Sequence, residues 1–363
     1  MPFSDFHGNA ETVRRVREMM ARDHFPHGVI LAGPRGSGKY TLAQMIAKAM
    51  NCLEKPVAGG LPDFCGRCRN CERIAEADSL EQRCDEAVEA REQLRETDKR
   101  ETRIMIQTHP DVLVIPPDPP QMLVKVDQVR QVTGQVYYRP TGGGHKVYIF
   151  SEAAFMKEAA NALLKVLEEP PEYATIFLLA DNANSLLPTI RSRCITLQLA
   201  PLAFEEIERD LAYRTEWTAA QKKLVARLSA GALGRARRFD LNAYLSSRND
   251  ALTLLTTALL GDDHSGLFRA TESYRAGGEG KVKTDYLIAT LYSLLQDMLF
   301  LKHGTPELVR NIDIQQDLAT MSKGVSFEWI AAAADRLGEV QAGMRRNLLR
   351  SLSLDAFSAA LEL

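Results

Sequence analysis

Two groups of residues in this 363-residue chain have types and spacings that could do chemistry. The first is a set of cysteines. Cys52, Cys65, Cys68 and Cys71 read C-x12-C-x2-C-x2-C. Four thiolates close a tetrahedral shell around zinc, and the tight spacing lets one turn of chain supply three of them. A closed four-sulfur shell has no open position, so the metal it implies is structural. Coincidental surface cysteines are the alternative. Cys84 and Cys194 lie apart from the pattern and are left out of the site.

The second group is "GPRGSGKYT", residues 33–41. A phosphate-binding loop needs Gly, four residues, Gly-Lys, then Ser or Thr. Gly33, Gly38 and Lys39 fit, with Gly36 between them. The position that should carry a small hydroxyl for magnesium holds Tyr40, and Thr41 comes one residue late. Backbone amides, a helix N-terminus and Lys39 do not depend on residue 40, so phosphate binding can survive the change. A glycine turn that binds no nucleotide is the bland alternative. Nucleotide sites of this type also use an acidic pair at the end of a second strand. The apolar run "KVYIF" ends in Ser151-Glu152, so Glu152 is in place and the metal-organising Asp is a serine. A serine hydroxyl is a weak partner for a magnesium shell. ATP or ADP is therefore expected to bind weakly or without hydrolysis, because metal and positioning carry most of phosphoryl transfer.

These residues need elements to hold them. "GVILAG" is a strand feeding the glycine loop, and "TLAQMIAKAM" is the helix that follows, the context a phosphate loop requires. Val13, Val16 and Met20 mark an earlier short helix. "DVLVI" (111–115), "KVYIF" (146–150) and "TIFLLA" (175–180) read as further strands. Strands alternating with helices predict a parallel sheet covered on both faces. Residues 72–103 are dense in both charge signs and predict an exposed helical insertion, with Glu96 and Arg100 at helical spacing. Beyond residue 200 the pattern is helical, as in the stripe Leu291, Leu294, Leu295 and Met298. "RAGGEGK" (275–281) reads as a loop.

Composition is that of a soluble globular protein, 45% hydrophobic and 25% charged. A formal net charge of -2 gives no overall attraction to nucleic acid. No apolar run approaches the ~18 residues of a membrane span. The N-terminus carries no secretory h-region, so the cytoplasm is the expected compartment. There, six cysteines are metal ligands or buried thiols sooner than disulfides.

Further motifs carry a resemblance. "ANALLKVLEEPP" (160–171) puts Ala160, Leu163, Leu164 and Leu167 on one helical face and stops at Pro170-Pro171. "LLPTIRSRC" (186–194) follows. With "HPDVLVI", "RPTGGGHKVYIF" and the cysteine cluster, these stretches resemble the bacterial DNA polymerase III clamp-loader family, which comprises AAA+ ATPases and their degenerate siblings. The likeness runs over about residues 3–240 and is weaker in "RRNLLRSLSLDAF" near the end. It implies an α/β AAA+ fold, a P-loop NTPase-like parallel sheet with helices on both faces, over residues 1–200. A zinc module (52–71) and the charged insertion (72–103) interrupt that domain. An all-helical lid (201–245) and collar (246–363) follow.

Two members of the family carry the zinc module: the motor, gamma/tau, and the stator, delta-prime, in which both nucleotide motifs are often eroded. Tyr40 and Ser151 make this chain look like the stator. The resemblance implies that Arg193, in Ser192-Arg193-Cys194, reaches into a neighbouring subunit's ATP, that Asn182 is the sensor polar residue, and that Arg235 is the sensor arginine of the lid. It further implies as partners gamma/tau, delta, the sliding clamp and, through the complex, primer-template DNA, with no membrane. Two rivals stand beside this reading. One is a competent motor ATPase of the same family; the other is a zinc-containing DNA-binding protein with a relic nucleotide fold.

Overall fold

The apolar runs become adjacent strands of one sheet. "GVILA" forms β1 (Gly28–Ala32), buried at all five positions. It lies between β7 (Ala174–Ala180) and β8 (Ile195–Gln198), and both run parallel to it. A computed structural model describes residues 2–22, 25–142, 144–260, 271, 274, 277–344 and 350–361. In it the sheet has six strands, ordered β4-β5-β6-β7-β1-β8, where β4 is Ile106–His109, β5 Val112–Ile115 and β6 Lys146–Phe150. A small hairpin, β2 (Val57–Ala58) with β3 (Leu61–Pro62), stands apart from it.

Side chains alternate across the sheet with period two. Val29, Leu31, Val147, Ile149 and Phe177 pack on one face with Val13 and Val16 of helix α1 (Ala10–Ala21) and Leu42 and Ile46 of helix α2 (Lys39–Asn51). Ile30, Tyr148, Phe150 and Ile176 pack on the other with Leu163 and Leu167, which lie on the helix Lys157–Glu168. Helices on both faces follow from strands β1, β5, β6 and β7, which are buried at every position and mostly apolar.

The sheet departs from the expected form in one respect. It is mixed, because edge strand β4 runs antiparallel to β5. Neither β4 nor β8 was readable as a strand. Each is four residues long, and β8 buries only Leu197, so neither presents an apolar run.

The charged insertion folds as the expected helices, α3 (Arg69–Ala75), α4 (Leu80–Glu92) and α5 (Glu96–Glu101). It is not simply a solvated arm. Arg91, near the end of α4, is buried, with Nη1 2.9 Å from Oδ1 of Asp118. Asp118 is 1% exposed, pairs with Lys125 at 3.1 Å, and accepts from the Ile104 amide. A buried carboxylate with two cations and an amide fixes where the insertion rejoins the sheet. Glu96 pairs with Lys99 at 3.0 Å; the side chain of Arg100 lies outside the described residues.

Contacts divide the chain into two units, Met1–Leu202 with Gly231–Arg235, and Ala203–Ala230 with Ala236–Leu363. The second unit is helical, and among the described residues no strand follows Gln198. Leu291, Leu294, Leu295 and Met298 form its buried stripe on the helix Gly277–Lys302. Residues 277–281, expected as a loop, are the first turns of that helix; 275 and 276 lie outside the described residues, as do 345–349 of "RRNLLRSLSLDAF". Among the described residues no helix is long and apolar enough to cross a membrane.

Removing one partner of a buried ion pair leaves an uncompensated charge. Arg91→Ala is expected to cost about 3 kcal/mol in urea unfolding, whereas Arg95→Ala, at an exposed position on the same insertion, should change stability by less than ~0.5 kcal/mol.

Candidate functional site

Strand direction collects the nucleotide-type residues at one edge. The loop 33–38 leaves β1, Ser151-Glu152 leave β6, and Asp181-Asn182 leave β7, all at C-terminal strand ends. This is where open α/β sheets bind ligands. Gly36 has φ of 85°, and a Cβ there would stand 2.8 Å from the Arg235 amide nitrogen. Gly234 donates its amide to the Gly36 carbonyl at 2.8 Å. The backbone of Gly234 and Arg235 therefore rests directly on the glycine loop, and only glycine admits that approach. Gly38 caps α2, whose first-turn amides have no partner within the helix.

Lys39 turns back onto its own loop. Its ammonium donates to the carbonyls of Gly33 (2.5 Å) and Pro34 (3.1 Å) and to Oδ1 of Asp181 (2.8 Å). Asp181 was not singled out in the sequence, although an acidic residue directly after "TIFLLA" could have been. Its neighbour Asn182 instead accepts from the Asn184 amide, capping a short helical turn. Glu152 is exposed, and the Ser151 amide is held by the Ile115 carbonyl.

Tyr40 points away from the loop. Its hydroxyl donates to the Ala77 carbonyl at 2.6 Å and accepts from Gln44 at 2.7 Å. Burial holds its phenol proton well above the usual tyrosine range. Lys48 of the same helix pairs with Asp78 at 2.6 Å. Tyr40, at the position where a phosphate loop carries a hydroxyl, and Lys48 thus tie α2 to the segment after α3. Thr41 is exposed, and helix geometry turns it about 100° from position 40.

That segment continues the cysteine module. Cys52 caps the end of α2, Cys65 follows the hairpin, Cys68 caps the start of α3, and Cys71 lies in its first turn. The four sulfurs all lie within 4.8 Å of one another, and Cys52 and Cys65 are 3.6 Å apart. Ligands at ~2.3 Å in a tetrahedron sit roughly 3.8 Å apart, so the set fits zinc. Without a cation the thiols compete. Burial raises Cys71 and, less strongly, Cys65. Burial also opposes ionisation of Cys68, but hydrogen bonds from the Cys71 and Leu53 amides and the neighbouring thiols outweigh it and bring it down to about 7. A divalent ion removes that competition by stabilising all four thiolates. Cys84 and Cys194 stand outside the cluster; burial pushes them up to about 11 and about 12, so neither is an activated thiol.

Arg193 lies at the other end of the sheet. It precedes β8, whose first residue pairs with Val29 near the start of β1, while Lys39 follows the end of β1. One strand of five residues spans about 17 Å. Its guanidinium holds Glu168 Oε1 at 2.6 Å and the Thr189 carbonyl at 2.9 Å. Arg191 instead donates to Asn184. The structure therefore gathers Gly33, Gly36, Gly38, Lys39, Asn182 and the Arg235 backbone at one edge, and keeps Arg193 at the opposite one.

The family described as DNA polymerase III, delta subunit, matches residues 8–203, more than half of the chain. The chain belongs to this family. It is 33% identical over 186 residues to the delta-prime subunit of Pseudomonas aeruginosa DNA polymerase III, covering 51% of this chain and 46% of that one. To delta-prime of Escherichia coli it is 32% identical over 227 residues, 60% of this chain and 63% of that one. The E. coli tau subunit matches at 28% over 285 residues, 76% of this chain and 39% of the relative. The chain thus matches less than two thirds of the length of each. Within the family its relatives include delta-prime and tau or gamma subunits of DNA polymerase III.

Two outcomes follow from this geometry. The purified chain should hold about one zinc per molecule, and Cys68→Ser should lose it while Cys84→Ser should not, as read by metal analysis. Tyr40→Phe should cost roughly 1 kcal/mol in chemical unfolding, because the Ala77 carbonyl loses its donor. Tyr40→Thr, which also removes the ring, should cost about 3 kcal/mol.

Proposed function

We propose that this chain is the stator of a clamp loader, a delta-prime-like subunit that does not hydrolyse ATP itself and offers Arg193 to a neighbouring subunit's nucleotide. Its partners are then gamma/tau and delta, with the sliding clamp and primer-template DNA met through the complex. The single observation that carries this is the placement of Arg193. A strand's length from Lys39, it is too far to serve the same nucleotide as Lys39, so any phosphate it meets on leaving Glu168 would belong to another chain. Arginine suits the role because its planar fork matches phosphate oxygens, and an arginine supplied in trans stabilises the charge that develops on the transferred phosphoryl group.

The chain's own loop supports the complementary half. Tyr40 is committed to Ala77, and Ser151 stands where a metal-organising carboxylate is needed. Weak, unhydrolysed ATP or ADP at Gly33, Gly36, Gly38, Lys39 and Thr41, with Asn182 and Arg235 beside it, fits this reading, with Glu152 a relic of the acidic motif. Structural zinc on the four cysteines braces the helix that starts at Lys39. Residues 201–245 act as a lid and 246–363 as a collar for assembly.

A motor of the gamma/tau type is the second reading, favoured by the longer match to tau. The two separate in one assay. Assembled with its partners, Arg193→Ala should leave the complex intact and lower DNA-stimulated ATP turnover by at least tenfold at the site it faces. Arg191→Ala should have the smaller effect. The isolated chain should turn over ATP at background. Lys39-dependent turnover by the isolated chain would establish the motor reading instead.

A further inference from the structure

An ammonium has three donors. On Lys39 all three are met by the chain itself: two by carbonyls of the glycine loop, at 2.5 and 3.1 Å, and one by the Asp181 carboxylate at 2.8 Å. The two carbonyls are fixed by the loop's backbone. Asp181 is the replaceable partner: its side chain is 69% exposed, against 10% for Lys39. Beside this filled lysine, the Ser37 hydroxyl is buried within the loop with no hydrogen-bond partner among the described residues. The loop thus retains an unmet donor and the free amides at the start of α2, which suit a phosphate. Its one ammonium is neutralised.

We propose that Asp181 is a latch on Lys39 that keeps this loop closed to nucleoside di- and triphosphates, and that it sets the chain's nucleotide affinity. The idea rests on the reading of residues 33–41 as a phosphate loop. A polyphosphate must displace the carboxylate to reach the ammonium. Once displaced, the carboxylate stays at the end of β7 beside the loop and repels the incoming charge. The barrier is electrostatic and separate from the loss of the magnesium hydroxyl at residue 40. Removing the charge at 181 therefore restores binding without restoring hydrolysis.

The test measures ADP and ATP binding to the isolated full chain by calorimetry, with and without magnesium. An exposed ion pair and one repelled charge are together worth roughly three- to tenfold in affinity. Asp181→Asn should gain that much, equally with and without magnesium. Asp181→Glu, which keeps the charge, should gain nothing. Adding Lys39→Ala to Asp181→Asn should erase the gain. No gain in Asp181→Asn, no detectable binding by any variant, or a gain that survives Lys39→Ala would overturn the proposal. A parallel pull-down with the clamp-loader partners keeps the two claims apart. Assembly without a gain in Asp181→Asn sinks the latch alone, and a gain without assembly sinks the stator reading alone.

Discussion

The parallel pairing of β1 with β7 on one side and β8 on the other is the constraint from which the rest of the site geometry descends. Gly28 to Ala32 pair with Ile176 to Ala180, and Val29 to Ala32 pair with Ile195 to Gln198. Parallel strands put all their C-terminal ends at one edge, so the glycine loop, Asp181 and Ser151 must meet there. The same rule forces Arg193, which precedes β8, to the far edge. The glycine loop and the Arg193 guanidinium are thereby placed at opposite ends of one sheet. Under the stator reading, the chain need not turn over its own nucleotide to act on a neighbour's, because the two ends of the sheet are separate.

The glycine-loop edge is altered in ways that are physically distinct. The position where a phosphate loop carries a metal-binding hydroxyl holds a phenol that packs against the core and is bonded to the Ala77 carbonyl. Lysine is retained but spent on Asp181 and two carbonyls. The backbone of Gly36 rests against Arg235, so packing depends on the same loop geometry that would cradle a phosphate. The shape of the loop is thus held by the backbone of Gly234 and Arg235 and does not depend on the side chains of Tyr40 or Asp181.

Much of this was legible in the residues. β1, β5, β6 and β7 are mostly apolar and buried at every position because both faces are covered, and they read as runs. The four cysteines lie together as their spacing requires. What was hidden has a common cause: it depends on contacts between residues distant in sequence. Edge strands β4 and β8 carry no apolar run. Arg91 and Asp118 each look like solvated charges until the fold buries them against one another. Tyr40 reads as a defect, and its bond to a carbonyl 37 residues away is invisible without the fold. Asp181 differs from these. It sits where the strand run ends, and strand-end position alone singles it out.

The measurement that bears most directly on the central claim is a structure of the assembled complex with a nonhydrolysable ATP analogue. The account predicts that Arg193 has left Glu168 and lies within hydrogen-bond distance of a terminal phosphate bound to the adjoining subunit, with no magnesium at this chain's own loop. Arg193 still paired with Glu168, alongside a magnesium nucleotide seated on Lys39, would contradict it.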